Sequence, residues 1–379
     1  MRRLGALAGV IAGLAATLLV LSALSAHGGG GPRPAPTRLV AEDASAPLAR
    51  IAIHYAPSAD RVALGVWKQL FVALPAQIEV DVEVAEAAHF DRFVGLMRDA
   101  GVSAPARFHP VIVGASITTW SRDRYAALVR DGGGGMILAP PFLGSAFAGR
   151  TGDFRSPFAI SQALYGSEPR VARYAFEGGD LAATPHWLFV DANLGGRNLG
   201  RGHADRTTLE KQLRRDFGQE LVWLGDEVGD VPRHHIMMYM VPLDDHTIAV
   251  GDERAGLALL GEDEREALDI DPDTETQIRR FDHAAELLVE RGFHMVRFPA
   301  LVLRGGGSFV TYTNALFDRR GAQKIVYLPT YRMPALDDEA ARLYGSLGYQ
   351  VRRIDMAPIY RLNGSLGCLV NVISRGDRS

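Results

Sequence analysis

The sequence has 379 residues, of which 47% are hydrophobic and 22% are charged, and its formal net charge is −3. This composition is ample for the packed core of one or two domains. The nearly balanced charge lacks the basic footprint of a nucleic-acid-binding protein, so no nucleic-acid partner is predicted. The single cysteine, Cys368, cannot form an intramolecular disulfide.

The N-terminal residues predict export. Arg2 and Arg3 precede an uncharged, mostly apolar run at residues 4–26, as in a signal peptide. The run is also long enough to remain as a membrane anchor. Residues 1–27 are therefore predicted to be a signal peptide or an anchor, and the protein to be periplasmic or secreted, either released or held at the membrane. The Gly- and Pro-rich residues 28–38 predict a linker, and the folded domain is predicted at 39–379.

The domain begins with alternating β-rich and helical patterns. Strands are predicted at 50–55, 78–84 and 107–113, with helices at 62–74 and 88–100 between them. The strand at 78–84 alternates apolar and acidic residues, which predicts a half-buried strand with no catalytic role. Residues 131–135 predict a hairpin turn.

Further along the chain, helix-to-strand units are predicted at 207–224, 281–299 and 337–354. This order of elements is typical of an α/β protein. The pattern fits either a layered sheet or a propeller of α/β modules.

The sequence predicts no metal or organic cofactor. Residues 269–280 begin like a calcium-binding loop but lack its glycine and its bidentate glutamate. The adjacent His234 and His235 have no Cys or His partner at zinc-like spacing.

Four short segments carry groups suited to catalysis. Taken singly, each also has an ordinary explanation as a turn, a core histidine or a buried thiol. Their order along the chain is more informative than any one of them. They are Trp120-Ser121-Arg122-Asp123, Glu177-Gly178-Gly179-Asp180, the segment around His235, and Gly364-Ser365-Leu366-Gly367-Cys368.

This order resembles the agmatine deiminase and bacterial peptidylarginine deiminase family, within the guanidine-modifying superfamily. Chains of that family carry in turn a Trp-x-Arg-Asp, a Glu-Gly-Gly and a Gly-His-x-Asp segment and a C-terminal cysteine. The likeness extends over about residues 120–374 and includes the segments at 193–198, 222–224, 312–314 and 327–329. It implies the pentein fold, a five-bladed pseudo-symmetric α/β propeller with a central active site, formed by a single catalytic domain.

The resemblance also implies roles for individual residues. Cys368 is similar to the family's nucleophile, His235 to its acid/base, and Asp123 to the carboxylate that holds the substrate guanidinium. Glu177 resembles a further acid that supports the histidine or the substrate. Substrate-binding positions are implied for Trp120, Asp180 and Asn314.

The implied activity is that of a deiminase, a hydrolase that acts through a covalent cysteine intermediate on the guanidine of peptidyl arginine, agmatine or a related compound. A thiolate can attack the planar guanidinium carbon while carboxylates grip the nitrogens. Its partner would be a small guanidine or an arginine-containing peptide, and export favours the peptide.

Four positions depart from the family pattern. Met237 stands at the position of the aspartate that follows the histidine, Arg233 and His234 precede the histidine, and Gly367 precedes the cysteine. Two alternatives therefore stay open. One is an amidinotransferase, in which an amine resolves the intermediate. The other is an envelope binding protein that has lost catalysis.

Overall fold

The computed structural model describes residues 36–103, 107–141, 150–200 and 205–376. The predicted signal peptide or anchor at 1–27 lies outside these ranges, as does most of the predicted linker. β1 begins at Thr37, so this strand overlaps the last two linker residues. No helix within the described ranges combines the length and the apolar character needed to cross a bilayer.

The strands in these ranges alternate with helices along most of the chain. They are β1 Thr37–Leu39, β2 Leu48–His54, β3 Glu79–Val84, β4 Phe108–Ile112, β5 Ala126–Arg130, β6 Gly135–Ala139, β7 Arg170–Val171, β8 Ala182–Ala183, β9 Trp187–Asp191, β10 Glu220–Leu224, β11 Met240–Pro242, β12 Thr247–Asp252, β13 His294–Val302, β14 Phe309–Thr311, β15 Leu316–Arg320, β16 Gln323–Thr330, β17 Tyr349–Asp355 and β18 Val370–Arg375.

The α-helices are α1 Asp60–Ala73, α2 Ala87–Asp99, α3 Ser156–Tyr165, α4 Ala192–Asn198, α5 Arg206–Asp216, α6 Glu253–Ala258, α7 Glu262–Ala267, α8 Thr274–Glu290, α9 Pro334–Ser346 and α10 Leu366–Leu369. The predicted alternation of strands and helices is confirmed, and so is the α/β class.

The strands form five mixed sheets, in the orders β1-β5-β6-β7, β10-β9-β8, β11-β12-β13-β14, β15-β16-β17 and β18-β2-β3-β4. Each sheet contains an antiparallel pair whose inner strand also pairs in parallel with a further strand. A parallel neighbour requires a crossover, and helices supply it. The last strand, β18, pairs with β2, so the C-terminal strand completes the sheet formed by β2, β3 and β4.

Helix α1 shows how the sequence builds these units. Its buried residues recur at helical spacing, which gives the helix one apolar face. They are Ala63, Val66, Trp67, Leu70 and Phe71. This face joins the largest hydrophobic cluster, together with apolar residues of β2 and β3.

The prediction of a half-buried strand at 78–84 is wrong. Asp81 and Glu83 of β3 are as buried as the apolar residues between them. Arg50 donates two hydrogen bonds of 2.7 Å to the Asp81 carboxylate, and Tyr125 donates a 2.7 Å hydrogen bond to Glu83. The acidic face is therefore covered by another part of the chain, which satisfies the buried carboxylates.

Candidate active site

The predicted site residues occupy equivalent places in the five sheets. Asp123 precedes β5, Glu177 precedes β8, His235 precedes β11, Asn314 precedes β15 and Cys368 precedes β18. In each sheet, the following strand belongs to the antiparallel pair described above. Each sheet therefore contributes one polar residue from the chain entering that pair.

Four of these five residues lie in or next to a short helical turn. Asp123 and Cys368 lie within such turns, and Glu177 and His235 immediately precede them. The turn Ser121–Arg124 contacts both α10 and the turn Gly178–Asp180, which in turn contacts Ile236–Met238. Side-chain hydrogen bonds fasten the turns together, because Ser121 Oγ donates to the Leu369 carbonyl at 2.7 Å and Arg122 Nε donates to the Gly178 carbonyl at 3.1 Å. Residues distant in sequence therefore meet at one place.

Cys368 lies within α10 and is only 4% exposed. The Cys368 amide donates to the Ser365 carbonyl at 3.1 Å, and Ser365 Oγ is hydrogen-bonded to Tyr331 Oη at 2.8 Å. A Cβ on Gly364 would lie 2.3 Å from the ring of Trp120. Close packing before the cysteine thus fixes the position of its thiol.

His235 connects the thiol to Glu177. Its Nε2 lies 3.0 Å from Glu177 Oε2, and both residues are buried. Its Nδ1 has no hydrogen bond of ordinary geometry with the described residues, but Cys368 is near enough to act on the pKa of the imidazole. His235 and Glu177 are thus in direct contact, and the thiol of Cys368 lies in the same neighbourhood.

The electrostatics of this chain favour a histidine cation beside a carboxylate anion. Burial lowers the pKa of His235, but the nearby Cys368 and the hydrogen bond and charge of Glu177 outweigh it and hold the pKa of His235 well above its usual range. Burial raises the pKa of Glu177, and the hydrogen bond and charge of His235, with the charges of Arg197 and Arg124, lower it to about 2. The ionised pair places a positive charge on the imidazole of His235.

Asp123 already has a cationic partner. Arg150 Nη1 lies 2.9 Å from Asp123 Oδ2, where Asp123 is buried and Arg150 is partly buried. Burial and the charge of Glu177 raise the pKa of Asp123, while His235 and Arg150 oppose the rise. The predicted guanidinium-binding carboxylate therefore holds a guanidinium of its own chain.

Asp180 lies behind Glu177. Its carboxylate is fully buried, accepts a 2.8 Å hydrogen bond from the Glu177 amide and lies 3.0 Å from Arg197 Nε. Arg197 Nη2 also lies 2.8 Å from Glu177 Oε2. These contacts orient Glu177, and substrate binding by Asp180 stays a prediction.

Asn314 and two methionines surround the thiol. Asn314 Nδ2 lies 3.6 Å from Cys368 Sγ, and Met238 Sδ lies 4.0 Å from it. A Cβ on Gly367 would lie 2.8 Å from Asn314 Oδ1 and 3.5 Å from Met237 Cε. The absence of a side chain at Gly367 therefore leaves room for the Asn314 amide and the Met237 side chain next to this residue.

Two further residues keep the histidine in place. A Cβ on Gly179 would lie 2.4 Å from His235 Nδ1, so the ring packs directly on the glycine backbone. His234 adopts a φ of 84°, in the left-handed region that favours glycine, and its Nδ1 accepts a 2.8 Å hydrogen bond from the His235 amide. Burial and the charge of His235 lower the pKa of His234 to about 3.

Trp120 lies beside the thiol but is largely packed. Its ring lies against the apolar cluster that includes Cys368, and substrate contact by this ring stays a prediction. The structure thus brings together Cys368, His235, Glu177, Asp123 and Asn314, and their roles stay predictions. The roles of Arg150, Arg197 and Gly179 were missed, although Arg197 and Gly179 lie within segments that resemble the family.

Chemically, the arrangement combines a thiol, an imidazole of a kind that can transfer protons and an amide donor directed at the sulfur. Among the described residues, no cluster of three or more His, Cys, Asp or Glu side chains could hold a metal ion.

Comparison with solved structures identifies the fold. A cysteine-to-serine variant of C. jejuni agmatine deiminase with substrate bound matches with a TM-score of 0.65 and 16% identity, over 88% of this chain and 96% of that one. Agmatine deiminase of Enterococcus faecalis matches with a TM-score of 0.64 and 11% identity, over 89% and 95% of the two chains. A protein described as a candidate peptidyl-arginine deiminase matches with a TM-score of 0.63 and 15% identity, over 90% of this chain and 99% of that one.

Neither a family model nor a curated protein sequence matches the chain. At identities this low, the structural likeness shows a shared fold. The resemblance that the sequence motifs indicated is confirmed at that level.

Proposed function

We propose that this chain is a cysteine-dependent hydrolase that cleaves a carbon–nitrogen bond of a guanidine. The observation that carries the proposal is the grouping of Cys368, His235 and Glu177: His235 contacts Glu177, and both Cys368 and Asp123 are close enough to affect the pKa of His235. The fold is that of agmatine deiminases, one of which holds its substrate when its cysteine is replaced by serine. Shared fold alone does not assign an activity, so the arrangement of these side chains is the main support.

The proposed reaction proceeds in two stages. The Cys368 thiolate attacks the guanidine carbon and forms a C–S bond, and protonated His235 gives its proton to the departing amine as the C–N bond breaks. Neutral His235 then takes a proton from water, whose oxygen attacks the same carbon and displaces the thiolate. The net reaction consumes one water and releases ammonia and a ureido product.

The surrounding residues serve these steps in defined ways. Glu177 keeps His235 oriented and favours its cationic form, since the pair is buried and 3.0 Å apart. Asn314 Nδ2 can donate a hydrogen bond to the thiolate. Asp123 is the carboxylate that we propose for the substrate cation, because a guanidinium and a carboxylate match in both charge and geometry.

We also propose the finer arrangement of the fold and the setting of the enzyme. One polar residue from the same place in each of five sheets supports a five-bladed propeller with the site at its axis. An arginine-containing peptide is the favoured substrate class, because residues 1–27 read as an export signal or anchor. Both remain proposals.

The test is ammonia release by the full-length protein supplied with agmatine or with an arginine-containing peptide. Cys368→Ala should abolish release, and His235→Asn should reduce it by at least about a hundredfold, the usual contribution of an acid/base group. The surface substitution His294→Asn is the matched histidine control, since His294 is exposed at the start of β13. Undiminished turnover in Cys368→Ala would reject the proposal.

A further inference from the structure

Arg150 places a guanidinium on the carboxylate that the proposed function assigns to the substrate. Its Nη1 lies 2.9 Å from Asp123 Oδ2, and the side chains of Arg150 and Asp123 are only 13% and 7% exposed. A substrate guanidinium would need the same acceptor. The proposed substrate and Arg150 therefore compete for one group.

Arg150 has a second anchor, which lets it release Asp123 without losing every carboxylate partner. Arg150 Nε lies 2.7 Å from Asp153 Oδ2. Asp153 is itself fixed, because the amide and the hydroxyl of Thr118 each donate a 2.7 Å hydrogen bond to it. If Arg150 rotated away from Asp123, its charge would still be compensated by Asp153.

The other acids of the site have their own partners. Arg197 lies 2.8 Å from Glu177 and 3.0 Å from Asp180, and Glu177 also contacts His235. Position 237, where the resembling family has an aspartate, is a buried methionine. A guanidinium entering this site therefore has Asp123 as its principal carboxylate, and Arg150 occupies it.

We propose that Arg150 is a built-in competitor that occupies Asp123 in the free protein and must yield it before a guanidine binds. This inference rests on the proposed function, because it assumes that the substrate group is a guanidinium. Since only the fraction of molecules with Asp123 free can bind, the apparent affinity falls in proportion to that fraction. Simple guanidines then bind weakly, and substrates with additional contacts elsewhere on the protein are favoured.

The experiment measures binding without turnover, in full-length protein carrying Cys368→Ala. Calorimetric or NMR titration with methylguanidinium is compared between this variant and the double variant with Arg150→Gln, at pH 8 because alkaline pH favours the ionised form of Asp123. The double variant should bind at least about tenfold more tightly, which corresponds to about 1.4 kcal/mol. The matched control is Arg50→Gln, which breaks the Arg50–Asp81 pair and should leave affinity unchanged.

Arg150→Lys is a second variant in case the glutamine variant does not fold. A lysine keeps the charge but lacks the planar fork that reaches two carboxylates at once, so an intermediate gain of about threefold is expected. Equal or weaker binding after removal of the Arg150 guanidinium would overturn the inference, and so would absence of binding in every variant. Tighter binding by the Arg150 variant, with no turnover by the wild type, would support the competitor and reject the proposed function.

Discussion

Two buried glutamates should respond in opposite directions to the same isosteric substitution. Burial raises the pKa of Glu177, but His235, Arg197 and Arg124 lower it from 4.5 to about 2. At about 1.4 kcal/mol per pKa unit, this difference corresponds to about 3 kcal/mol of stability. Because the folded pKa is depressed, this contribution is present above pH 4.5 and is lost as the pH falls toward 2. Glu177→Gln should therefore destabilise the protein by about 3 kcal/mol at pH 7.

Glu253 behaves in the opposite way. Burial raises its pKa from 4.5 to about 8, and a hydrogen bond from the Val302 amide only partly opposes the rise. At pH 7, this group is protonated in the folded state and ionised in the unfolded state, which costs about 3 kcal/mol. Because the folded pKa of Glu253 is raised, the protein loses stability as the pH rises from 4.5 to 8. Glutamine has no proton to lose over this range, so Glu253→Gln should stabilise the protein by up to about 3 kcal/mol at pH 7.

Urea unfolding at pH 7 and pH 4, followed by circular dichroism, measures both effects. At pH 4, Glu177→Gln should retain most of its destabilising effect, whereas the stabilising effect of Glu253→Gln should nearly vanish. Each variant thus serves as the matched control for the other. Two changes of the same sign at pH 7 would refute the assignment of one ionised and one protonated glutamate.

Three further substitutions test the geometry around the thiol. Gly179→Ala should lower turnover at least about tenfold while the fold persists, because its Cβ would lie 2.4 Å from His235 Nδ1 and must displace the ring. Met237→Asp should tighten methylguanidinium binding about tenfold to a hundredfold, because a charged hydrogen bond contributes about 1.5 to 3 kcal/mol. Gly367→Ala should slow alkylation of Cys368 by iodoacetamide several-fold, because its Cβ would lie 2.8 Å from Asn314 Oδ1 and push the amide from the sulfur.

Controls separate these effects from general destabilisation. A Cβ on Gly95 of α2 meets nothing within 4 Å, so Gly95→Ala should leave turnover unchanged and raise stability by about 0.5 to 1 kcal/mol. Met237→Asn supplies a polar side chain without the charge and should not reproduce the gain of Met237→Asp. Full activity in Gly179→Ala would contradict the contact between the glycine and the imidazole.

The secondary structure was predictable wherever one face of an element is apolar. The predicted boundaries of the first strands and helices lie within about two residues of those of β2, α1, β3, α2 and β4. Helix α8 was predicted from residue 281 but begins at Thr274, because its first two turns are mostly polar. Asp273 caps this helix by accepting a hydrogen bond from the Thr276 amide. An aspartate at this position is a sequence signal for the start of a helix.

The candidate site residues could be selected from the sequence because each lies in a short motif beside a strand. Arg150 belongs to no motif, and its pairing with Asp123 depends on how two turns meet in space. The acidic face of β3 shows the same limit, since its burial depends on Tyr125 and Arg50. Sequence alone indicates which groups carry charge, whereas the pairing of charges is set by the tertiary structure.

The charges around the thiol also indicate where a substrate cation gains most. Glu177 is already stabilised as an anion, since its pKa is lowered to about 2 by His235 and other cations. Asp123 is not, because burial and the charge of Glu177 raise its pKa despite the contact with Arg150. Of the two carboxylates, Asp123 is therefore the one whose negative charge is less compensated by its surroundings. With Met237 at the position of the family's aspartate, the affinity for a guanidinium depends mainly on how readily Arg150 and the substrate exchange at Asp123.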